Sequence, residues 1–225
     1  MTKNMMDLYC ERTDFTFWSE PLNALSNLAF ILAAAFAFSL WNKTKSQLTN
    51  KENAILFVLS CNIAIIGIGS FLFHTFATKW AMFADVIPIY IYKVALLLLY
   101  PTMVLKLSWT KSIGLFLLFL VSTYLVGWLP IDLNGSQMYI PSIVMLMVFT
   151  LLHSHKYKDT DWPLVAAIIA FLISITFRTI DNQICTAWPV GSHFGWHIFN
   201  GFVLFFTWKS LYNKFSQRAT NTLSL

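Results

Sequence analysis

Charged side chains are scarce in this sequence, at 11% of its 225 residues, where a soluble domain carries roughly a quarter. The apolar excess is correspondingly large, with 57% hydrophobic and 17% aromatic residues and a mean hydropathy of +0.64. A soluble fold of this size could not hide that much apolar surface, which argues for a membrane protein. Cysteine occurs only at Cys10, Cys61 and Cys185. No internal repeat or low-complexity segment stands out. Residues 1–20 lack an apolar stretch of signal-peptide type, so the first apolar run is expected to stay in place as a signal anchor. The formal charge is +5, yet the lysines and arginines are scattered between apolar runs. They do not build the aromatic-interleaved basic patch that would point to nucleic acid.

What is abundant is long apolar runs. They predict an all-α membrane protein, a bundle of seven transmembrane helices at 22–41, 54–75, 82–99, 112–129, 138–153, 162–180 and 192–212, because lipid offers no partners for open backbone groups. Residues 1–21 are expected as an acidic extramembrane segment, 22–212 as the membrane domain and 213–225 as a polar cytoplasmic tail. Lys43, Lys45, Lys51, Lys106, Lys111, Lys156, Lys158, Lys209, Lys214 and Arg218 fall on one side of these spans. Lys3, Arg12, Lys79 and Arg178 fall on the other, and Lys93 lies within a span. The excess marks the cytoplasmic side, which puts the N-terminus outside and the C-terminus inside. The tryptophans agree, since all nine fall at or near predicted span ends, where indoles prefer to sit.

Histidine and aspartate are costly in hydrocarbon, so those in or beside spans are functional candidates. His74 closes the second span, Asp85 opens the third, and His193 and His197 open the seventh, all at the outer side of the predicted topology. His153 and His155 lie at the opposite face. A spacing of four puts His193 and His197 on one helix face, where they can chelate a single ion, and His74 completes a three-histidine set. A fourth position left to water is the arrangement of catalytic rather than structural zinc. Ser70 shares the face of His74 one turn deeper. The plainer reading of two histidines four apart is hydrogen bonding to neighbouring helices, and spacing alone leaves both open. Asp181 is read either as accepting a hydrogen bond from a ligand histidine or as an i,i+3 partner of Arg178.

Three separated blocks carry a family resemblance. The first is Tyr9-Cys10-Glu11 followed by Phe17-Trp18-Ser19-Glu20-Pro21-Leu22-Asn23-Ala24-Leu25-Ser26-Asn27-Leu28. The second is Gly69-Ser70-Phe71-Leu72-Phe73-His74 with Asp85-Val86-Ile87-Pro88. The third runs from Ile180-Asp181-Asn182 through Cys185 to His193-Phe194-Gly195-Trp196-His197-Ile198-Phe199-Asn200-Gly201. Together they resemble the alkaline ceramidases and their bacterial relatives, within the wider group of seven-helix membrane hydrolases that includes the adiponectin-receptor-like proteins.

The resemblance implies zinc ligands at His74, His193 and His197, a proton-transferring carboxylate at Asp85 and a carbonyl-assisting hydroxyl at Ser70. It also implies a calcium ion held by Glu11 and Glu20, with Asp7 fitting only at a one-residue offset and the family's asparagine ligand replaced around Thr13-Asp14. A solvated acidic segment is the alternative for those residues. Cys10 and Cys185 match positions that are bridged in relatives, which an oxidising outer compartment would permit. The expected activity is hydrolysis of the N-acyl amide of ceramide or a ceramide-like membrane lipid, with the active site toward the outer face. Another N-acyl lipid is an alternative substrate, and a non-catalytic lipid receptor with a structural zinc is the alternative from a different class. The sequence is silent on oligomeric state.

Overall fold

A computed structural model describes residues 5–223. Among them all regular secondary structure is helical, apart from an isolated bridge between Met5 and Thr78. The order is α1 (Pro21–Ser26), α2 (Leu28–Thr44), α3 (Asn50–Phe76), α4 (Lys79–Leu99), α5 (Trp109–Val126), α6 (Ile140–Tyr157), α7 (Trp162–Ile184) and α8 (His193–Leu223). Short 3₁₀ turns follow α2 and precede α6, and a π-helical turn at Tyr100–Val104 extends α4.

Local chemistry explains the boundaries. Thr49 and Glu52 form a reciprocal capping box at the start of α3, which satisfies backbone donors that a helix start leaves free. Asp161 caps α7 by accepting from Leu164 N. Pro101 has no N–H to give, and the chain there widens so that Leu105 N reaches back five residues to Tyr100 O. The first predicted span is divided at Asn27, whose side-chain amide donates to the carbonyls of Asn23 and Ala24.

Among the described residues, six helical segments are long and apolar enough to cross a membrane by length and composition. Helix α8, which carries the seventh predicted run, is not among them, and its N-terminal turns hold His193, His197 and Asn200. It continues as helix through residues 213–223, where a polar tail was expected. The bundle is apolar on its outer surface as well as in its core. Large apolar side chains such as Leu151 (69% exposed) and Phe36 (63%) face outward, while Ser60, Ser174 and Thr207 are buried. That distribution suits a lipid surround.

Helix α8 packs against α7 and α2, and α3 packs against α4 and α2. The α3–α4 contact is a backbone contact: a Cβ at Gly69 would stand 2.0 Å from the carbonyl oxygen of Ala84. Only glycine admits that approach, and it brings Asp85 to the level of Ser70 and His74.

Candidate metal centre

His74 stands in the last turn of α3, His193 opens α8 and His197 follows one turn later. All three are buried, at 1%, 1% and 2% exposure. One potential ligand atom of each lies within 4.8 Å of the others. Nε2 of His74 is 3.1 Å from Nε2 of His197.

Protonation decides what that contact is. Nδ1 of His74 lies 2.5 Å from Oε2 of Glu20. A carboxylate only accepts, so a proton sits on Nδ1, and in the neutral ring Nε2 then presents a lone pair. At His197, Nδ1 is 2.7 Å from the Ser26 hydroxyl, which already donates its own proton to Asn23 O. Ser26 therefore accepts, and Nε2 of His197 is a lone pair as well. Two facing lone pairs repel unless a cation lies between them, and nitrogens on a tetrahedral zinc at 2.0–2.1 Å stand about 3.3 Å apart. His193 adds a buried Nδ1 with no hydrogen-bond partner. The donors present fit a metal ion held by three imidazoles.

The segment before α1 folds over this centre. Tyr9 stacks on His193 with ring centroids 3.6 Å apart, and a disulfide joins Cys10 to Cys185, Cα atoms 5.3 Å apart. Burial pushes the Tyr9 phenol up to about 12 against the pull of Arg178, so it stays neutral at physiological pH. Arg12 is buried and triply engaged: Nε donates to Glu20 Oε1 at 2.5 Å, Nη1 to Asp14 O at 3.1 Å and Nη2 to His74 O at 2.8 Å. The last of these satisfies a carbonyl at the C-terminal end of α3, a favourable place for a cation. Burial pushes the Glu20 carboxyl up, but His74, Arg12 and Asn23 outweigh it and hold it below its ordinary range.

These contacts bear on calcium, which takes six to eight oxygen ligands. Glu20 is occupied by Arg12, His74 and Asn23. Glu11 places Oε1 on Leu22 N at 2.7 Å and Oε2 on Asn23 N at 2.8 Å, and burial pushes its carboxyl up although those N–H groups pull it back. Asp7 is exposed. The acids expected around a calcium ion are thus engaged with the protein's own donors, and the cation beside Glu20 is a guanidinium. The arrangement does not fit calcium.

Asp181 takes neither role expected for it. It is fully buried, and Oδ1 accepts from the backbone N–H of Ser192 at 2.7 Å and His193 at 2.9 Å, while Oδ2 accepts from Cys10 N at 3.2 Å. It holds the start of α8, and hence the His193 backbone, rather than an imidazole or Arg178. The turn leading there needs Gly191 (φ +66), where a Cβ would stand 2.2 Å from Asp181 Oδ1.

Asp85 lies beside the Ser70 hydroxyl and within electrostatic reach of His74 and Arg178. Arg178 faces the rings of Trp196, Tyr139 and Tyr9, at 5.2, 5.8 and 6.0 Å from its guanidinium carbon. An apolar cavity within the bundle is lined by Tyr92, Lys93, Phe149, Phe171, Trp196 and Leu204 among others. Lys93 lies over the rings of Tyr90 and Phe119. Trp196 both lines this cavity and stacks at 6.5 Å on His193.

Sequence reasoning brought the histidines, Ser70 and Asp85 together but missed the parts played by Arg12, Ser26, Tyr9 and Arg178. Ser26 stands with Asn23 and Asn27 as a polar residue in an otherwise apolar run, a pattern that signals hydrogen bonding to a neighbouring helix. His153 lies at the far end, hydrogen-bonded with Tyr100, whose hydroxyl donates to Asp161.

No curated protein and no solved structure matches the chain. The family model described as Ceramidase matches residues 8–222, from the segment over the histidines through nearly all of α8, and the chain belongs to the Ceramidase family.

Proposed function

We propose that this chain is a zinc-dependent hydrolase that works within the membrane, cleaving the N-acyl amide of ceramide or a ceramide-like lipid to a fatty acid and an amino alcohol. The observation that carries the reading is the convergence of three buried imidazoles, with the Nε2 atoms of His74 and His197 3.1 Å apart, beside a carboxyl and a hydroxyl. A closed structural zinc site would need neither of the latter groups.

His74, His193 and His197 would hold the ion, which when bound supplies Lewis acidity toward a carbonyl oxygen and lowers the pKa of water. Asp85 accepts a proton as water adds to the acyl carbon and delivers it to the departing nitrogen as the C–N bond breaks. Ser70 donates a hydrogen bond to the carbonyl oxygen as negative charge develops there. Glu20 and Ser26 keep the two imidazoles in the tautomer that turns Nε2 inward. Tyr9 covers His193, and the cavity reached past Trp196 offers an apolar channel for a lipid tail.

In the proposed topology α8 is the seventh crossing, with the histidines toward the outer face and the C-terminus in the cytoplasm. The charge asymmetry supports it. So do the exposed indoles of Trp18, Trp80, Trp128 and Trp188 near one end of the helices, and of Trp109 and Trp162 near the other.

Elemental analysis for zinc, together with fatty-acid release from a panel of N-acyl lipids, tests the reading in purified wild type and Asp85→Asn. Zinc near one per chain with release lost in the variant is the expected result. Zinc without release from any lipid would favour a binding protein, and retained release in Asp85→Asn would remove its proton-transfer role.

A further inference from the structure

Arg178 is a cation with little to satisfy it. Its Nη1 donates to the Tyr9 hydroxyl at 3.3 Å, but its Nε is sealed from solvent and has no hydrogen-bond partner. The nearest acid in its own helix, Asp181, is fully engaged by the N–H groups of Cys10, Ser192 and His193. The acid acting on it electrostatically is Asp85, which the proposed chemistry needs for proton transfer. A guanidinium has five donors in a planar fork, and its faces here are bordered by Trp196, Tyr139 and Tyr9. Two of those rings, Tyr9 and Trp196, also stack on His193. The fork is therefore one ring removed from the histidine centre. A buried cation with spare donors is normally matched by an anion.

We propose that Arg178 receives an anionic group of the substrate, so that the preferred N-acyl lipid carries an acidic function a few bonds from its amide nitrogen. The inference rests on the reading of the histidine site as an amide hydrolase and, within it, favours an acidic ceramide-like lipid over neutral ceramide itself. A planar carboxylate can take two parallel N–H donors from the fork, and a phosphate or sulfonate can do so as well. Lysine cannot reproduce that geometry. The plainer role for Arg178, a counter-charge that fixes Asp85 and Tyr9, predicts no preference among headgroups.

The test compares three lipids of one acyl chain in detergent: an N-acyl amino acid, a phosphorylated N-acyl amino alcohol and the neutral N-acyl amino alcohol. Turnover and binding, the latter by quenching of tryptophan fluorescence, are measured for wild type, Arg178→Lys and Arg178→Gln, with thermal unfolding as the check on folding. Wild type is expected to prefer an acidic lipid. The ratio of kcat/KM for acidic over neutral lipid should fall by about tenfold or more in Arg178→Gln, as for loss of a charged hydrogen bond, and also fall in Arg178→Lys despite its retained charge. The two acidic lipids distinguish a carboxylate from a phosphate. If wild type prefers the neutral lipid, or both variants lose turnover equally on all three, the anion site is overturned and Arg178 serves Asp85 or the fold. Should no lipid be cleaved, the hydrolase reading fails. Tighter binding of an acidic lipid that Arg178→Gln abolishes would then still establish the site, and equal binding of all three would remove it.

Discussion

The Ser26 hydroxyl accepts a hydrogen bond from Nδ1 of His197 across 2.7 Å, because its own proton is committed to Asn23 O. One serine at the end of a six-residue helix therefore decides which nitrogen of a buried histidine faces inward. Ser26→Ala should leave the bundle folded and weaken metal retention by about ten- to a hundredfold, the range for loss of an outer partner of a ligand histidine. Competition with a chelator measures it, and unchanged retention would show that His197 is oriented by packing alone.

Arg12 occupies the place beside Glu20 where a calcium ion was expected. Calcium added to protein prepared free of it should leave the unfolding temperature unchanged, whereas Arg12→Ala should lower it, because Glu20 and the His74 carbonyl lose a buried donor. Each such loss costs about 1–3 kcal/mol. A calcium-dependent rise in unfolding temperature would contradict this assignment.

Glu20 also makes the clasp acid-sensitive, with a defined sign. Its carboxyl is held below its ordinary range in the folded protein, so its contribution is present above the unfolded carboxylate pKa and is lost as pH falls through the lowered folded value. The stability difference between wild type and Glu20→Gln should be steady at neutral pH and shrink on acidification below the ordinary carboxylate range. Thermal unfolding of both proteins across that range is the measurement, and a difference that grows with acid would reverse the assignment.

The Cys10–Cys185 bridge spans 175 residues of sequence. Such a link typically contributes about 2–4 kcal/mol. Cys10→Ser should lower the unfolding temperature, and reducing agent should shift the mobility of the wild type but not of Cys10→Ser on a denaturing gel. The variant is also expected to lose metal more readily, because Tyr9 and the backbone N–H of Cys10 both sit against the elements that hold His193.

Gly69→Ala should impair turnover more than metal content. The added carbon would meet the Ala84 carbonyl and push α4, with Asp85, away from α3, while His74 stays with α3. Zinc analysis beside lipid hydrolysis separates the two effects, and a variant with wild-type activity would mean that α4 can yield without moving Asp85.

The histidine set was legible because polar residues in apolar runs are expensive and helical spacing says which face they share. His74, His193, His197, Ser70 and Asp85 all come from such runs. The segment over them was not legible. Arg12, Glu11 and Glu20 have the composition of a solvated strand of chain, and only its fold back onto the end of α3 shows that Arg12 and Glu20 are buried against each other and Glu11 against backbone N–H groups. Asp181 misled in a different way. Its i,i+3 spacing from Arg178 satisfies a local rule, but the turn at Gly191 delivers the N-terminus of α8 to the carboxylate, and two backbone N–H groups there displace the arginine. The seventh run was readable as a length, but the site residues that give α8 its interest also lower its apolarity.

The contact at Gly69 and Ala84 leaves no side-chain cushion between α3 and α4. Helices separated by flexible side chains can slide or splay when a bilayer thickens or thins, but two backbones in direct contact can respond only by tilting as one body. Ser70, His74 and Asp85 thus share a rigid frame whose internal spacing is insulated from the lipid around it, and adjustment to a different membrane falls to α5, whose sparsely buried surface ties it least tightly to the bundle.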